Sequence, residues 1–468
     1  MTEILSVASE CVPLVKTGGL ADVAGALPGA LRPLDIRMRT LLPGYPQVMA
    51  ETREAAEVWR SDDLFGGPAR VLATMTGVLD LLVLDAPHLF DRPGQIYLGP
   101  DGRDWPDNPE RFAGLSLAAA EIAGRGADGW RPDILHCHDW QAGLAPGYLR
   151  DRFPDASVGI VQTIHNVAFQ GLAPADRLHP LGLPQSGMHP DGFEYWGQIS
   201  ALKAGLVRAD RITTVSPTYA AELLTPEFGM GLDGVLRARR DRLSGILNGV
   251  DLSDWAPPYR LASGKVKHKA RLRAEMGLPE AEGPLCVVVS RLTEQKGLDL
   301  LLEALPALLE GGGQLALLGS GAADLELAFE RAATHPNVAV RLGYDEALSR
   351  MLIAGGDAIL VPSRFEPCGL TQLYGLLHGT IPVVTLTGGL ADTVIPATPA
   401  GLRAGVATGL QVHPITADAL GRALTQVCTL YARTEVWRRM QRNAMRQPVG
   451  WDRSAEEYAA LYRALSEG

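Results

Sequence analysis

Two basic side chains, Arg291 and Lys296, lie in the segment SRLTEQKG directly after an apolar run. Arg offers a planar fork that grips two phosphate oxygens, and Lys a point charge. The pair suits a diphosphate whose negative charge grows as a bond breaks, although two solvated charges ahead of a helix read the same way. A second segment, PSRFEPCGLT at 362–371, sets the carboxylate of Glu366 between Phe365 and Pro367. There it can orient sugar hydroxyls or a developing cation, or simply cap the helix that follows. In the first half, Gly18-Gly19 precede a helix-like run, with Lys16 two residues before them. Backbone N–H groups and the helix dipole favour an anion there, the plain alternative being a strand-to-helix turn. The hexapeptide Thr17–Asp22 recurs as Thr387–Asp392, which suggests a matched glycine loop in each half.

His136-Cys137-His138-Asp139-Trp140 and His165-Asn166 close two strand-like runs. The H-x-H beside an acid invites a metal, but its spacing fits neither a zinc-binding helix nor paired Cys/His sites, so no metal ligand is expected. Trp140 with Asp139 instead reads as an apolar sugar platform with a polar edge. His165, at a strand end beside Asn166, is placed to hydrogen-bond a substrate hydroxyl, while His136 reads as a satisfied core histidine. No D-x-D is present, so a carboxylate pair holding a divalent ion to a nucleotide diphosphate is not advertised. A P-loop, a complete dinucleotide fingerprint and a G-x-S-x-G elbow are also missing.

Such groups need strand ends to hold them. Ile4–Ala8, Arg37–Leu42, Leu81–Leu84, Ile134–Cys137, Val158–Thr163 and Arg211–Val215 read as buried strands, with helices over Leu20–Leu31, Phe112–Ala123 and Ile199–Val207. A second series follows at Leu285–Ser290, Gln314–Leu318, Val338–Leu342, Ala358–Val361 and Ile381–Thr385, with helices near Leu298–Leu309, Ala322–Thr334 and Glu346–Ile353. The alternation predicts an α/β chain of two doubly wound parallel sheets. The expected division is a first domain over 1–245, a second over 246–451, and a terminal amphipathic helix in 452–468 packing back on the first.

Composition sets the outer limits. The 468 residues carry 43 basic and 53 acidic side chains, a net charge of −10, which disfavours free nucleic acid and anionic membrane as partners. No apolar run reaches the ~18 residues of a membrane span, and the N-terminus lacks the features of a signal peptide. The five cysteines are widely spaced and never C-x-x-C, as expected of reduced thiols in a cytoplasm.

Together the segments KTGGLADV (16–23), HCHDWQAGLAP (136–146), TIHNVAFQG (163–171), VSPTYAAE (215–222), ILNGVD (246–251), SRLTEQKGLDL (290–300), PSRFEPCGLTQLYGL (362–376) and TGGLADTV (387–394) resemble the bacterial glycogen synthase and plant starch synthase family. The resemblance implies a GT-B architecture of two Rossmann-like domains facing across a cleft, the first on the acceptor side and the second on the donor side. It implies transfer of glucose from ADP-glucose to the non-reducing end of an α-1,4-glucan such as glycogen, with retention and without a metal or other cofactor. By the same likeness Lys16, Gly18 and Gly19 would contact the donor, Arg291 and Lys296 its diphosphate, and Glu366 with Cys368, Gly369, Leu370 and Thr371 its glucosyl and phosphate groups. His165 would bind the transferred glucose, Asp139 would lie near the reacting centre, and Tyr344 would stack on adenine. Gly388 and Gly389 would approach the phosphates, and Trp140 and Asn166 would serve the acceptor. Two positions depart from the pattern of related retaining transferases or of the family: Tyr374 stands eight residues after Glu366 where related enzymes often carry a second Glu, and Leu386 where the family often has Arg. The rival readings are a transferase using UDP-glucose or a small acceptor, and a non-catalytic glucan-binding protein.

Overall fold

Nine strands build the first sheet: β1 (Thr2–Val7), β2 (Ile36–Pro43), β3 (Ala56–Ser61), β4 (Ala69–Thr76), β5 (Leu79–Asp85), β6 (Ile134–His138), β7 (Gly159–Ile164), β11 (Arg211–Thr214) and β12 (Leu243–Gly245). A separate small sheet is formed by β8 (Leu172–Pro174), β9 (Glu194–Tyr195) and β10 (Gln198–Ser200). The structure is a computed structural model and describes residues 1–52 and 55–466. It separates into two compact units, Met1–Gly249 with the C-terminal segment from Trp451, and Val250–Gly450.

In the first unit the strand order is β12-β11-β7-β6-β1-β2-β5-β4-β3. All pairings are parallel except β5–β4 and β4–β3. The inner parallel strands are buried on both faces, which is why they read as short apolar runs such as the Leu81–Leu84 stretch of β5. The antiparallel β3–β4 hairpin was not among the expected strands; its exposed edge strand, AEVWRS, carries no continuous apolar run. The helix expected from Ile199 begins instead at Ala201, because Ser200 accepts a cap bond from the Lys203 amide at 3.1 Å and Ile199 belongs to β10.

The C-terminal helix Asp452–Ser466 packs on this unit. Trp451, Ala455, Tyr458, Ala459 and Tyr462 join Ile4, Val23, Leu27, Leu31, Ile36, Ile134 and Val161 in one cluster. Ile246 belongs to the same cluster, so the units divide after Gly249 rather than after residue 245, and Trp451 rather than 452 opens the returning segment.

The second unit holds β13 (Leu285–Val289), β14 (Gln314–Gly319), β15 (Val338–Leu342), β16 (Ala358–Val361), β17 (Ile381–Thr385) and β18 (Leu410–Val412) in the order β15-β14-β13-β16-β17-β18, all parallel. This is the doubly wound order in which the chain reverses direction between its first and fourth strands, here β13 and β16. Doubly wound sheets bind ligands at such a point, outside the carboxyl ends of the strands; in the first unit the corresponding neighbours are β1 and β6.

Candidate active site

The loops that leave β13 and β16 at the reversal point carry Arg291, Lys296 and Glu366. They are stitched together by backbone and side chain. The Arg364 amide donates to the Gln295 carbonyl at 2.8 Å, Gln295 Nε2 to the Phe365 carbonyl at 3.3 Å, and the Arg364 guanidinium pairs with Asp299 at 2.6 Å. Gly297 permits the approach. Its φ is +63°, and a Cβ there would fall 2.0 Å from the Pro362 carbonyl oxygen. The result brings Lys296 Nζ to 2.5 Å from Glu366 Oε2, which also accepts from Ser363 Oγ at 3.0 Å. Both side chains are largely withdrawn from water, 19% and 11% exposed, so the carboxylate is fixed rather than solvated. Arg291 lies exposed at the end of β13, free to turn to an anion.

Cys368 is buried, and Gly369, Leu370 and Thr371 form the half-buried turn that opens the helix Thr371–His378. Gln372 holds this turn by donating to the carbonyls of Cys368 at 3.0 Å and Gly369 at 2.9 Å. Tyr344 follows β15 and is 85% exposed. The second glycine pair behaves differently from expectation. The Gly389 amide donates to the carbonyls of Glu366 and Pro367, at 3.2 and 3.1 Å. A Cβ on Gly388 would lie 1.9 Å from the Glu366 oxygen, and one on Gly389 2.3 Å from the Cys368 oxygen. Gly388 and Gly389 therefore seat the Glu366 loop by close backbone approach, and the Gly389 N–H is not aimed at a phosphate. Tyr374 is buried and stacks on Trp255 at 3.6 Å, so it supplies no stand-in for a second carboxylate. Leu386 is half exposed after β17, and nothing in the structure explains its replacement of a basic residue.

In the first unit β1, β6 and β7 lie side by side, and the residues just beyond their carboxyl ends are Glu10, Asp139 and His165. Asp139 has φ +51°, a region that costs a non-glycine residue on the order of 1–3 kcal/mol. Its amide donates to the Thr163 carbonyl at 2.9 Å, and its Oδ1 accepts from the His165 amide at 2.6 Å. Burial pushes its carboxyl up to about 7. His165 Nε2 meets His138 Nδ1 at 2.9 Å, and His138 Nε2 meets Ser6 Oγ at 3.2 Å. Burial drives both imidazoles down, His138 to about 3, so the relay is of neutral rings. His136 is the core histidine expected, bonded to Tyr462 Oη at 2.7 Å and Thr163 Oγ1 at 2.6 Å.

Two of the expected acceptor groups are partly engaged elsewhere. The Trp140 ring packs edge-on to Phe112 at 4.9 Å and lies against Gly171, where a Cβ would come within 2.4 Å of it. It is a half-buried core ring rather than an open platform. Asn166 turns its carbonyl into its own loop, accepting from the Ala168 amide at 3.0 Å. Gly19 opens the helix Gly19–Leu31 with nothing within 4 Å of where a Cβ would stand, and Gly18 is its N-cap. Lys16 Nζ is 2.7 Å from Asp22 Oδ1.

The carboxylate of Glu10 was not anticipated. It is 4% exposed and accepts from the amides of Thr17 and Gly18, so the Gly18 N–H already has an internal anion. Its legible signal is position alone, just past a buried strand at the edge where α/β sheets bind ligands. Among the described residues no group of three or more His, Cys, Asp or Glu side chains is placed to hold a metal ion, and no helix is long and apolar enough to cross a membrane.

Residues 3–238 match the family of starch synthase catalytic domains, and residues 283–429 the group 1 glycosyl transferases. A glycogen synthase of Paracoccus denitrificans is 65% identical over 467 residues, covering 100% of both chains. This chain belongs to the glycogen synthase family. A second glycogen synthase, from a Jannaschia species, is 60% identical, again over 100% of both chains. Among solved structures, the catalytic domain of starch synthase IV from Arabidopsis thaliana, bound to ADP and acarbose, superposes with a TM-score of 0.88 at 30% identity over 100% of both chains. A sucrose-phosphate synthase from Thermosynechococcus elongatus shares the fold, with a TM-score of 0.62 at 19% identity and 99% of both chains covered. The glycogen synthase family member is thus a glycosyltransferase with the two Rossmann-like units of the GT-B fold.

Proposed function

We propose that this protein transfers glucose from ADP-glucose to the non-reducing end of an α-1,4-glucan, with retention and without a divalent ion. The observation that carries the reading is the Lys296–Glu366 pair, 2.5 Å apart, at the β13–β16 reversal point beside the exposed Arg291. Arg291 and Lys296 hold the diphosphate and neutralise the charge that develops as the glycosidic bond to phosphate breaks. The departing phosphate oxygen takes the proton of the incoming glucan hydroxyl on the same face of the sugar, which accounts for retention without a nucleophile-and-acid pair of carboxylates. Glu366, fixed by Lys296 and Ser363, presents its negative charge to the glucosyl group. Cys368, Gly369, Leu370 and Thr371 form the turn beside it, and Tyr344 stacks on the adenine.

From the first unit, Lys16 and Gly19 contact the donor, His165 bonds a hydroxyl of the transferred glucose, and Asp139 stands near the reacting centre. Asn166 and the polar edge beside Trp140 serve the acceptor. The second unit is the donor side and the first the acceptor side. The cysteines are all unpaired thiols, in keeping with a reducing cytoplasm.

Comparison of ADP-glucose with UDP-glucose at equal concentration, with glycogen as acceptor, tests the reading. Faster turnover with ADP-glucose is expected, with new α-1,4 linkages in the proton NMR spectrum of the product. Preference for UDP-glucose, or transfer only to a small sugar phosphate, would replace this assignment by the rival transferase.

A further inference from the structure

Two segments converge on Glu10. Its carboxylate accepts the backbone N–H groups of Thr17 and Gly18, the latter at 3.1 Å, and Thr17 Oγ1 lies 3.0 and 2.9 Å from its two oxygens. Tyr97 Oη stands 3.4 Å away on the other side and is itself held by Ser9 Oγ at 2.7 Å. The intervening chain is closed on itself, with Cys11 and Val15 bridged and the Val12 amide donating to the Ala21 carbonyl at 3.1 Å. Gly25 presses against the same loop, for a Cβ there would sit 2.7 Å from the Val12 oxygen. At the outer end of this closed loop stands Lys16, the residue immediately before the two amides that Glu10 holds.

We propose that Glu10 is a positioning residue for donor binding: its buried carboxylate clamps the Thr17 and Gly18 amides and thereby fixes Lys16 and the open amide end at Gly19 in the place where they meet the nucleotide sugar. The inference rests on the donor role given to Lys16 above. A charged acceptor at the start of a helix makes bonds roughly twice as strong as a neutral one, so the loop is held before the ligand arrives rather than ordered by it. Pre-ordering lowers the entropic cost of binding and leaves the chemical step untouched. The Gly18 amide faces inward to Glu10, and the open space at Gly19 faces outward.

Steady-state kinetics of Glu10→Gln decide the matter, because the amide keeps the shape but loses the charge and turns a donor toward two donors. The expected result is a rise in KM for ADP-glucose of about tenfold, with kcat and the KM for glycogen within about threefold of wild type. Thr17→Ala, which removes only the hydroxyl contacts, should shift the donor KM in the same direction by less, and it covers the case in which Glu10→Gln fails to fold. In a Lys16→Ala background the Glu10→Gln change should raise the donor KM by less than it does in wild type, since part of its effect passes through Lys16. An unchanged or lowered donor KM, a loss confined to kcat or to the glycogen KM, or full additivity with Lys16→Ala would overturn the proposal. Wild-type enzyme inactive with ADP-glucose would overturn the donor assignment instead, and the same KM comparison would then be made with the nucleotide sugar it uses.

Discussion

Lys296 serves two anions in this account, Glu366 in the free enzyme and the leaving diphosphate during transfer. Its removal should therefore strike the transition state more than the ground state. Lys296→Ala is expected to lower kcat by about a hundredfold, on the order of 3 kcal/mol, with a smaller change in the donor KM. Glu366→Gln, which keeps the bond to Ser363 but removes the charge, should also lose on the order of a hundredfold in kcat. Near-normal turnover by either folded variant, measured with saturating glycogen, would remove that residue from the reaction. Asp139 makes a different prediction. Its carboxyl is raised by burial from 3.8 to about 7, so the folded state favours the neutral form. The stability it confers is complete below pH 4 and is lost as pH rises to 7. Asp139→Asn should then gain on wild type across that window in urea unfolding and level off above it; a difference independent of pH would show that the carboxyl titrates normally. Arg291, Lys296 and Glu366 were legible in the sequence because each sits in a motif just after an apolar strand. Glu10 was not, since Ser9-Glu10-Cys11 carries no pattern and its partners lie seven and eight residues on. The internal bonds of the Gly389 N–H were not legible, because a sequence cannot tell close approach to a phosphate from close approach to a carbonyl.

The elements that carry these residues were largely readable. Buried parallel strands announce themselves as unbroken apolar runs, and the strand–helix alternation marks a doubly wound sheet, but the order β15-β14-β13-β16-β17-β18 is visible only in the fold. The β3–β4 hairpin escaped because an edge strand with one wet face looks like loop, and Tyr374 because its partner Trp255 is far off in sequence. One support was equally hidden. Lys265 is buried, and its Nζ bonds the Ala354 carbonyl at 2.9 Å, Tyr259 Oη at 3.0 Å, Thr380 Oγ1 at 2.7 Å and the His378 carbonyl at 3.3 Å. It thus ties the ends of the helices Glu346–Gly355 and Thr371–His378, the second of which starts at the Glu366 turn. Lys265→Met leaves the Ala354 and His378 carbonyls with the Tyr259 hydroxyl, 2.9 Å from each, in place of two donors, and should destabilise the second unit by about 1–3 kcal/mol, read as a lowered unfolding midpoint in urea. A midpoint unchanged from wild type would mean that water replaces the ammonium without loss.

At the scale of the molecule, the chain leaves its first unit after Gly249 and returns to it at Trp451. The returning helix supplies Tyr458 and Tyr462, both fully buried, and the hydroxyl that satisfies His136. A chain ending at Gly450 exposes the face they cover. At about 2 kcal/mol for each large apolar side chain, the first unit should lose on the order of 5 kcal/mol or fail to fold, while the second keeps its own transition in calorimetry. An unaltered first transition would contradict that packing. In the proposed reaction cationic side chains, rather than a divalent ion, carry the leaving diphosphate. This is tested most directly by the rate of ADP release from ADP-glucose, with glycogen as acceptor, for enzyme and reagents stripped with EDTA. The predicted result is an undiminished glycogen-dependent rate in wild type and about a hundredfold lower rate in Lys296→Ala under the same conditions. Loss of the wild-type rate on chelation, restored by magnesium, would contradict the account.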